Sequence, residues 1–212
     1  GYHALILNTT GTQNVAVGSQ ALDANTTARF NTAVGHLALS ANTTAEANTG
    51  IGRTSLFANT TGASNTGCGC ATLENNTTGG QNNAFGHHAL DANTTGSSNC
   101  GFGVHALGAN TTASNNSAFG AAALLSNTTG NENTAVGANA HDSNTTGSFN
   151  VAIGLSAMGL ATTAGDSVSV GRGSLQALTT GSNNTGVGKD VGQSLTTGGS
   201  NVLVGRRAGS SI

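Results

Sequence analysis

The sequence predicts an all-β fold, a β-solenoid of the β-roll or β-helix kind with one 17-residue coil per repeat. Three observations carry this reading. Thr-Thr pairs begin at Thr9, Thr26, Thr43 and every seventeenth residue thereafter up to Thr196. One position of the repeat is Gly in all twelve copies, from Gly18 to Gly205. Charged residues are confined to five of the seventeen positions.

Numbered from the residue before each Thr pair, the repeat reads N-T-T-G-x-x-N-T-A-V-G-x-x-A-L-x-A. Residues 8–211 hold twelve copies without insertion, and residues 1–7 are the tail of a thirteenth. Residues 1–212 therefore read as a single array of about twelve coils. Both ends cut the repeat and neither carries a polar cap, so the sequence predicts a piece of a longer fibre protein.

Each position becomes a column along the stack. The invariant Gly at position eleven argues for a corner with φ > 0, and the Gly or Ala at position four for a second corner. Positions seven to ten then form a short side, and positions fourteen to seventeen, running on into the Thr pair, a long one. Position ten is apolar in every copy and position fifteen is mostly Leu, so these two columns are predicted to be the core. Every Asp, Glu, Lys and Arg falls at position five, six, twelve, thirteen or sixteen, which must face water. Alternation around position sixteen has the two-residue period of a strand. Position seven is Asn in all copies but one, Ser167, and suits a ladder of side-chain amides from coil to coil. From about residue 159 the pattern loosens: Leu160, Ala161, Leu178 and Leu195 interrupt the Ala-Asn columns, and Gly192 and Gly209 replace the core Leu.

Position nine lies between eight and ten, and strand alternation would turn it outward. It reads Ala16, Ala33, Gly50, Gly67, Ala84, Gly101, Ala118, Ala135 and Ala152, then Ser169, Gly186 and Leu203, with no charge in any copy. A bare outward column lets another backbone approach, so these residues are predicted to form the chain–chain interface of a laterally associated parallel homotrimer.

Composition limits the function classes. The chain has 33 Gly, no Pro, no Trp and 7% charged residues, where about 25% is typical. Too few large apolar side chains are present for a thick core. A formal net charge of -2 gives no reason to expect nucleic acid or an anionic membrane as partner. No apolar run approaches the roughly 18 to 20 residues of a membrane span.

The residues that carry chemistry are scattered. Cys68, Cys70 and Cys100 sit at positions ten, twelve and eight, as small hydrophobes rather than a metal or disulfide set. His36 and His87 share position twelve, and His88 and His105 share position thirteen on adjacent coils. With Arg53, Arg172, Lys189 and Arg206 they make the candidate exposed binding corners. Gly-x-Gly at residues 67–69 and 101–103 is no phosphate loop, because no helix follows to hold the phosphate. The acids Asp23, Glu74, Asp91 and Asp142 lie in one column with no partner column. No catalytic residue, cofactor or metal is predicted, and the chain does not read as an enzyme. N-T-T is also a glycosylation sequon, at Asn8, Asn25, Asn42, Asn59, Asn76, Asn93, Asn110, Asn127 and Asn144. At about 4.8 Å per coil, full occupancy would crowd the glycans, so full N-glycosylation is not expected; partial modification, or sugars on exposed Thr, is the minor alternative.

The stretch Asn31-Thr-Ala-Val-Gly-His-Leu-Ala-Leu39, echoed at residues 14–22 and 133–140, resembles the head repeats of YadA-like trimeric autotransporter adhesins. It is also similar to the N-T-A-V-G-x-x-A-L-x-x-N-T-T-G arrays of phage tail fibres and related surface-fibre proteins. The adhesin turn is shorter; here roughly the N-T-T element is added. The resemblance implies an extended fibre, extracellular, on a cell surface or on a virion, that displays or carries a receptor-binding tip. The partners expected are copies of the chain itself, as a trimer or an end-to-end filament, and a cell-surface receptor or glycan. A structural shaft or adhesin-type segment is thus the expected function. The alternative is an ice-binding solenoid using its Thr columns, although adjacent Thr residues send one of each pair inward.

Overall fold

A computed structural model describes residues 1–210. The chain winds as a stack of coils, one per 17-residue repeat, each contributing one three-residue strand. The strands run from β1 (Val15–Val17), β2 (Thr32–Val34) and β3 (Thr49–Ile51) to β12 (Val202–Val204). They form one twelve-stranded parallel sheet in chain order. Each residue pairs with the one 17 further on, as Thr32 with Thr49 and Val34 with Ile51. No helix occurs among the described residues.

The strands are positions eight to ten, where Thr, Val and Ile concentrate. Hydrogen bonds between coils are not limited to them. Thr32 donates its amide to Asn48 at 2.8 Å, Leu39 to Ser55 at 3.0 Å, and Leu37 back to Ser19 at 3.0 Å. All sides of a coil are therefore tied to the next.

Two sequence expectations about the sides are corrected. On the short side the parity is reversed. Position nine points inward, with Ala33, Ala84, Ala118, Ala135 and Ala152 fully buried. Position ten points outward, with Val17 57%, Ile51 41% and Phe119 42% exposed. The reason is the thinness of the coil: a Cβ added at Gly50 would come within 3.3 Å of the Leu39 side chain, so the wall facing the Leu column has room for Ala and little more. The bulky residues therefore stand outside.

The long side is not a strand. Positions thirteen and fifteen have positive φ throughout the array, as at Gln20 (55°) and Leu22 (53°). This breaks strand alternation, so that neighbours Ala38 and Leu39 are both fully buried. A left-handed Leu costs about 1–2 kcal/mol, and burying its side chain returns roughly 1.5–3 kcal/mol. Each Leu from Leu22 to Leu124 is fully buried, as the sequence predicts for this column.

Of the two corners, position eleven needs its glycines. Gly103 has φ of 144°, and an added Cβ would collide with the backbone of Gly120. Position four has no positive φ; the left-handed residue of that corner is position six, from Gln13 to Ser200. Position four is small because it is enclosed: a Cβ on Gly62 would lie 2.6 Å from Asn59 Oδ1, and Ala28 and Ala113 occupy the same column almost wholly buried.

Polar residues line much of the interior. At position seven, Asn31 accepts the amide of Asn48 at 2.9 Å and donates to the carbonyl of Ala45 at 2.9 Å. One side chain thus clips two backbone groups of the next coil. Amide-to-amide bonds also join Asn99 to Asn82, Asn150 to Asn133 and Asn201 to Asn184 in this column, but the continuous amide-to-amide ladder lies at position one. Asn76 donates to Asn59 Oδ1 at 2.7 Å and Asn93 donates to Asn76 Oδ1 at 2.7 Å, and the chain of bonds runs from Asn8 to Asn144. Beyond it the column turns apolar with Ala161, Leu178 and Leu195. The apolar core divides at the same place, one cluster ending at Ala140 and the next beginning at Ala152. Between them His141 fills a Leu position. Where Gly192 replaces the core Leu, Leu195 and Leu203 come within 4 Å of the vacated Cβ position and fill the space.

Candidate functional site

The corner after the strand, positions twelve and thirteen, displays the predicted binding residues. His36, Arg53, His87, His105, Arg172, Lys189 and Arg206 are exposed, and His88 is half-buried. The rings of His88 and His105 stack at 5.4 Å within 6° of parallel, and His87 meets His88 edge-on at 4.1 Å. His88 Nδ1 lies 2.9 Å from Asp91 Oδ2. Asp91 occupies position sixteen, so the corner cluster extends onto the column of acids. Among the described residues no group of three or more His, Cys, Asp or Glu is arranged to hold a metal. Cys68, Cys70 and Cys100 are free thiols, each half-buried.

The predicted interface column is not on the surface. Ala33, Gly50, Gly67, Ala84, Gly101, Ala118, Ala135 and Ala152 are buried inside the coil and Ala16, on the first strand, is partly so, because the short side turns position nine toward the Leu column. The sequon asparagines are likewise internal. Asn25, Asn42, Asn59, Asn76, Asn93, Asn110, Asn127 and Asn144 are fully buried in the ladder, and half-buried Asn8 bonds to Asn25 and to the Gly11 carbonyl. Their amides are committed to other coils, so the folded rod gives a glycosyl donor no access to them. The following Thr is half spent as well: Thr26 Oγ1 donates to the Thr43 carbonyl at 3.2 Å. From Thr26 to Thr180 only the second Thr of each pair, such as Thr27 or Thr44, is exposed; in the end coils Thr9 and Thr196 are exposed as well.

What the sequence reading missed is the outer face of the sheet. Positions eight and ten project from it in two columns, with no charged residue at positions seven to ten of any repeat. Phe85, Phe102 and Phe119 stack along it with ring centroids 4.6 and 5.1 Å apart. A charged rim borders each side. Before the strand stand Arg29, Glu46, Glu132 and Asp166, one base and three acids; after it stand Arg53, Arg172, Lys189, Arg206, Arg207 and Asp190, five bases and one acid. Within the chain these charges pair weakly: Arg29 Nε is 3.3 Å from Glu46 Oε1, and Arg172 is 4.0 Å from Asp190, all but Asp190 well exposed. The absence of charge was the available signal, but it was assigned to position nine alone.

Near the C-terminal coils an open depression is lined by Leu155, Ser156, Arg172, Gly173, Gln176 and Asp190. Its Asp190 carboxylate lies near Arg172 and Lys189, and no hydrogen bond joins it to the Ser156 hydroxyl. The buried polar atoms without a partner are Thr54 Oγ1 and His141 Nε2 among the described residues. His141 Nδ1 faces the Met158 carbonyl at 3.4 Å. Burial lowers its pKa to about 4, against a smaller upward pull from that carbonyl. Asp142 beside it is shifted up, chiefly by burial.

Compared with protein-family models, curated proteins and solved structures, the chain matches none.

Proposed function

We propose that this chain is a structural shaft or adhesin-type segment of an extracellular, cell-surface or virion fibre, acting through length, stiffness and display rather than through chemistry. One observation carries the reading: coil after coil repeats the same backbone bonds to the next, in the sheet and at both corners, reinforced by the position-seven column and, from Asn8 to Asn144, by the buried Asn ladder. Such a stack is stiff along its axis and can be lengthened by adding coils. Twelve coils at about 4.8 Å make a rod of about 58 Å. A receptor or glycan partner would be met at the variable corners, where His36, Arg53, His87 and Arg172 stand out. Lateral association of copies belongs to the same reading. The sequence argued for a parallel trimer through position nine, and since that column is internal, association must use another face.

Ice binding is placed second. It calls for regular rows of free Thr hydroxyls on a flat face, whereas the first hydroxyl of most pairs is spent on the next coil's carbonyl. The test is imaging combined with thermal hysteresis on residues 1–212. Straight rods of uniform width without freezing hysteresis support the shaft; compact particles, or hysteresis with ice shaping, overturn it.

A further inference from the structure

Exposed apolar surface is concentrated on one side of this rod. Among the described residues twenty large apolar side chains stand in solvent, and eleven of them belong to positions eight and ten, among them Val17, Phe85, Phe119 and Ile153. Contiguous apolar surface of this kind marks a place where something docks. The stacked Phe rings lie within 13° of one another along the rod axis. They therefore turn edges outward, not faces. Ring faces would suit a sugar; edges suit interdigitation with other apolar side chains.

We infer that the occupant is a second copy of this chain, packed sheet on sheet, parallel and in register, about a twofold axis that runs along the rod. The pairing deepens the lateral association of that reading by naming its face and symmetry, and it can fail while the shaft itself stands. Area is sufficient. A face about 58 Å long and about 10 Å wide, pressed against its like, removes on the order of 1,200 Å² from water, at the lower edge of stable interfaces.

Charge selects the orientation. A twofold axis along the rod places the rim before the strand on one copy against the rim after the strand on the other, coil facing the same coil. Glu46 and Arg53 belong to the same repeat, and so do Asp166 and Arg172. Each acid then faces the other copy's base, twice over by symmetry. The same operation sets Phe149 opposite Leu155, which are 54% and 48% exposed. An antiparallel arrangement centred on the same face brings like rims together. It sets the third repeat against the tenth, Glu46 against Asp166 and Arg53 against Arg172. Like charges in contact oppose it. Arg29, Glu132, Lys189, Asp190, Arg206 and Arg207 have no counter-charge opposite in the parallel pair, so they do not choose between the two.

Sedimentation of residues 1–212 near neutral pH tests this. The expected mass is twice 20.5 kDa. Phe102→Glu with Val136→Glu should give the single-chain mass with an unchanged circular dichroism spectrum. Asp166→Arg, at an exposed corner where the fold is indifferent, should weaken the pair by roughly tenfold, and adding Arg172→Asp should restore it. A wild-type mass of one or three chains overturns the proposal, as does a parental mass in the folded face variant. Tighter association of Asp166→Arg would show the antiparallel arrangement instead. A single-chain mass from particles that still image as rods would refute the pairing and leave the shaft reading standing.

Discussion

Asn76 Nδ2 donates to Asn59 Oδ1 across 2.7 Å, though the two residues are 17 apart in the chain and both have no solvent exposure. Asn76 also donates to the Gly79 carbonyl at 2.9 Å and accepts from Asn93. Every link of the ladder is thus shared by three coils. Replacing Asn76 by Ala strands the Asn59 oxygen and one N–H of the Asn93 amide in the interior, while the Gly79 carbonyl keeps its bond from Asn65 at 2.9 Å. Unpaired buried groups cost about 1–3 kcal/mol each, so urea unfolding should register a loss of about 2–4 kcal/mol. A loss under about 0.5 kcal/mol would mean that the amides face water.

The corner glycines separate from the corner variables. Gly103→Val places a β-branched side chain at φ of 144° and drives it into the backbone of Gly120. We expect more than about 3 kcal/mol of destabilisation, from strain and overpacking together. Gln20→Ala, where any side chain tolerates the same left-handed turn, should cost less than about 0.5 kcal/mol. Equal midpoints in a denaturation series would refute the corner assignment.

His141 gives the rod an acid limit. Its pKa falls from 6.5 to about 4 on folding because burial disfavours the imidazolium. The unfolded chain therefore binds the proton first as pH drops. Stability is full above about 6.5, declines as pH falls toward about 4, and loses on the order of 3 kcal/mol over that window. Asp142, shifted up by burial, acts in the opposite sense at and above its ordinary 3.8. Replacing His141 by Leu separates the two: it should raise stability at neutral pH by about 1–3 kcal/mol, by removing the orphaned Nε2, and should flatten the decline below 6.5. An unchanged pH profile in His141→Leu would place the histidine outside the core.

The sequons provide a chemical test of the interior. A folded sample incubated with an oligosaccharyltransferase and its lipid-linked donor should keep its mass at Asn25, Asn42, Asn59, Asn76, Asn93, Asn110, Asn127 and Asn144, all of them fully buried. The same chain in denaturant, diluted into the reaction, should accept glycan. Modification of the folded form at those residues would show that the ladder opens.

The coil length, the number of coils, the Leu column and the Gly corner could be read in the sequence because each is a strict period-17 feature. The inside of the short side could not. Hydrophobicity favours Val17 and Phe102 as core over Ala16 and Gly101, and it is steric room, not hydrophobicity, that decides here. With Leu39 within 3.3 Å of the Cβ position of Gly50, only small residues fit within. The long side misled for a different reason. Alternation around Asp23 and Asp91 has a strand's period, but left-handed Leu22 and Leu90 put Ala21 and Ala89 beside them in the core. The N-T-T motif is likewise ambiguous in sequence, since a sequon and a buried amide ladder need the same residue. Both the outer face and its rims depended on knowing which residues of the short side point outward.

The central claim is that residues 17 apart are one strand spacing apart over the whole array. It is tested most directly by pulsed electron paramagnetic resonance between spin labels at Ser64 and Ser200, two exposed position-six residues eight coils apart. Cys68, Cys70 and Cys100 would be replaced by Ser and the labelled chain diluted with unlabelled chain. The stack predicts one narrow distance of about 38 Å, eight steps of about 4.8 Å. A broad distribution, or a mean far from that value, would contradict it.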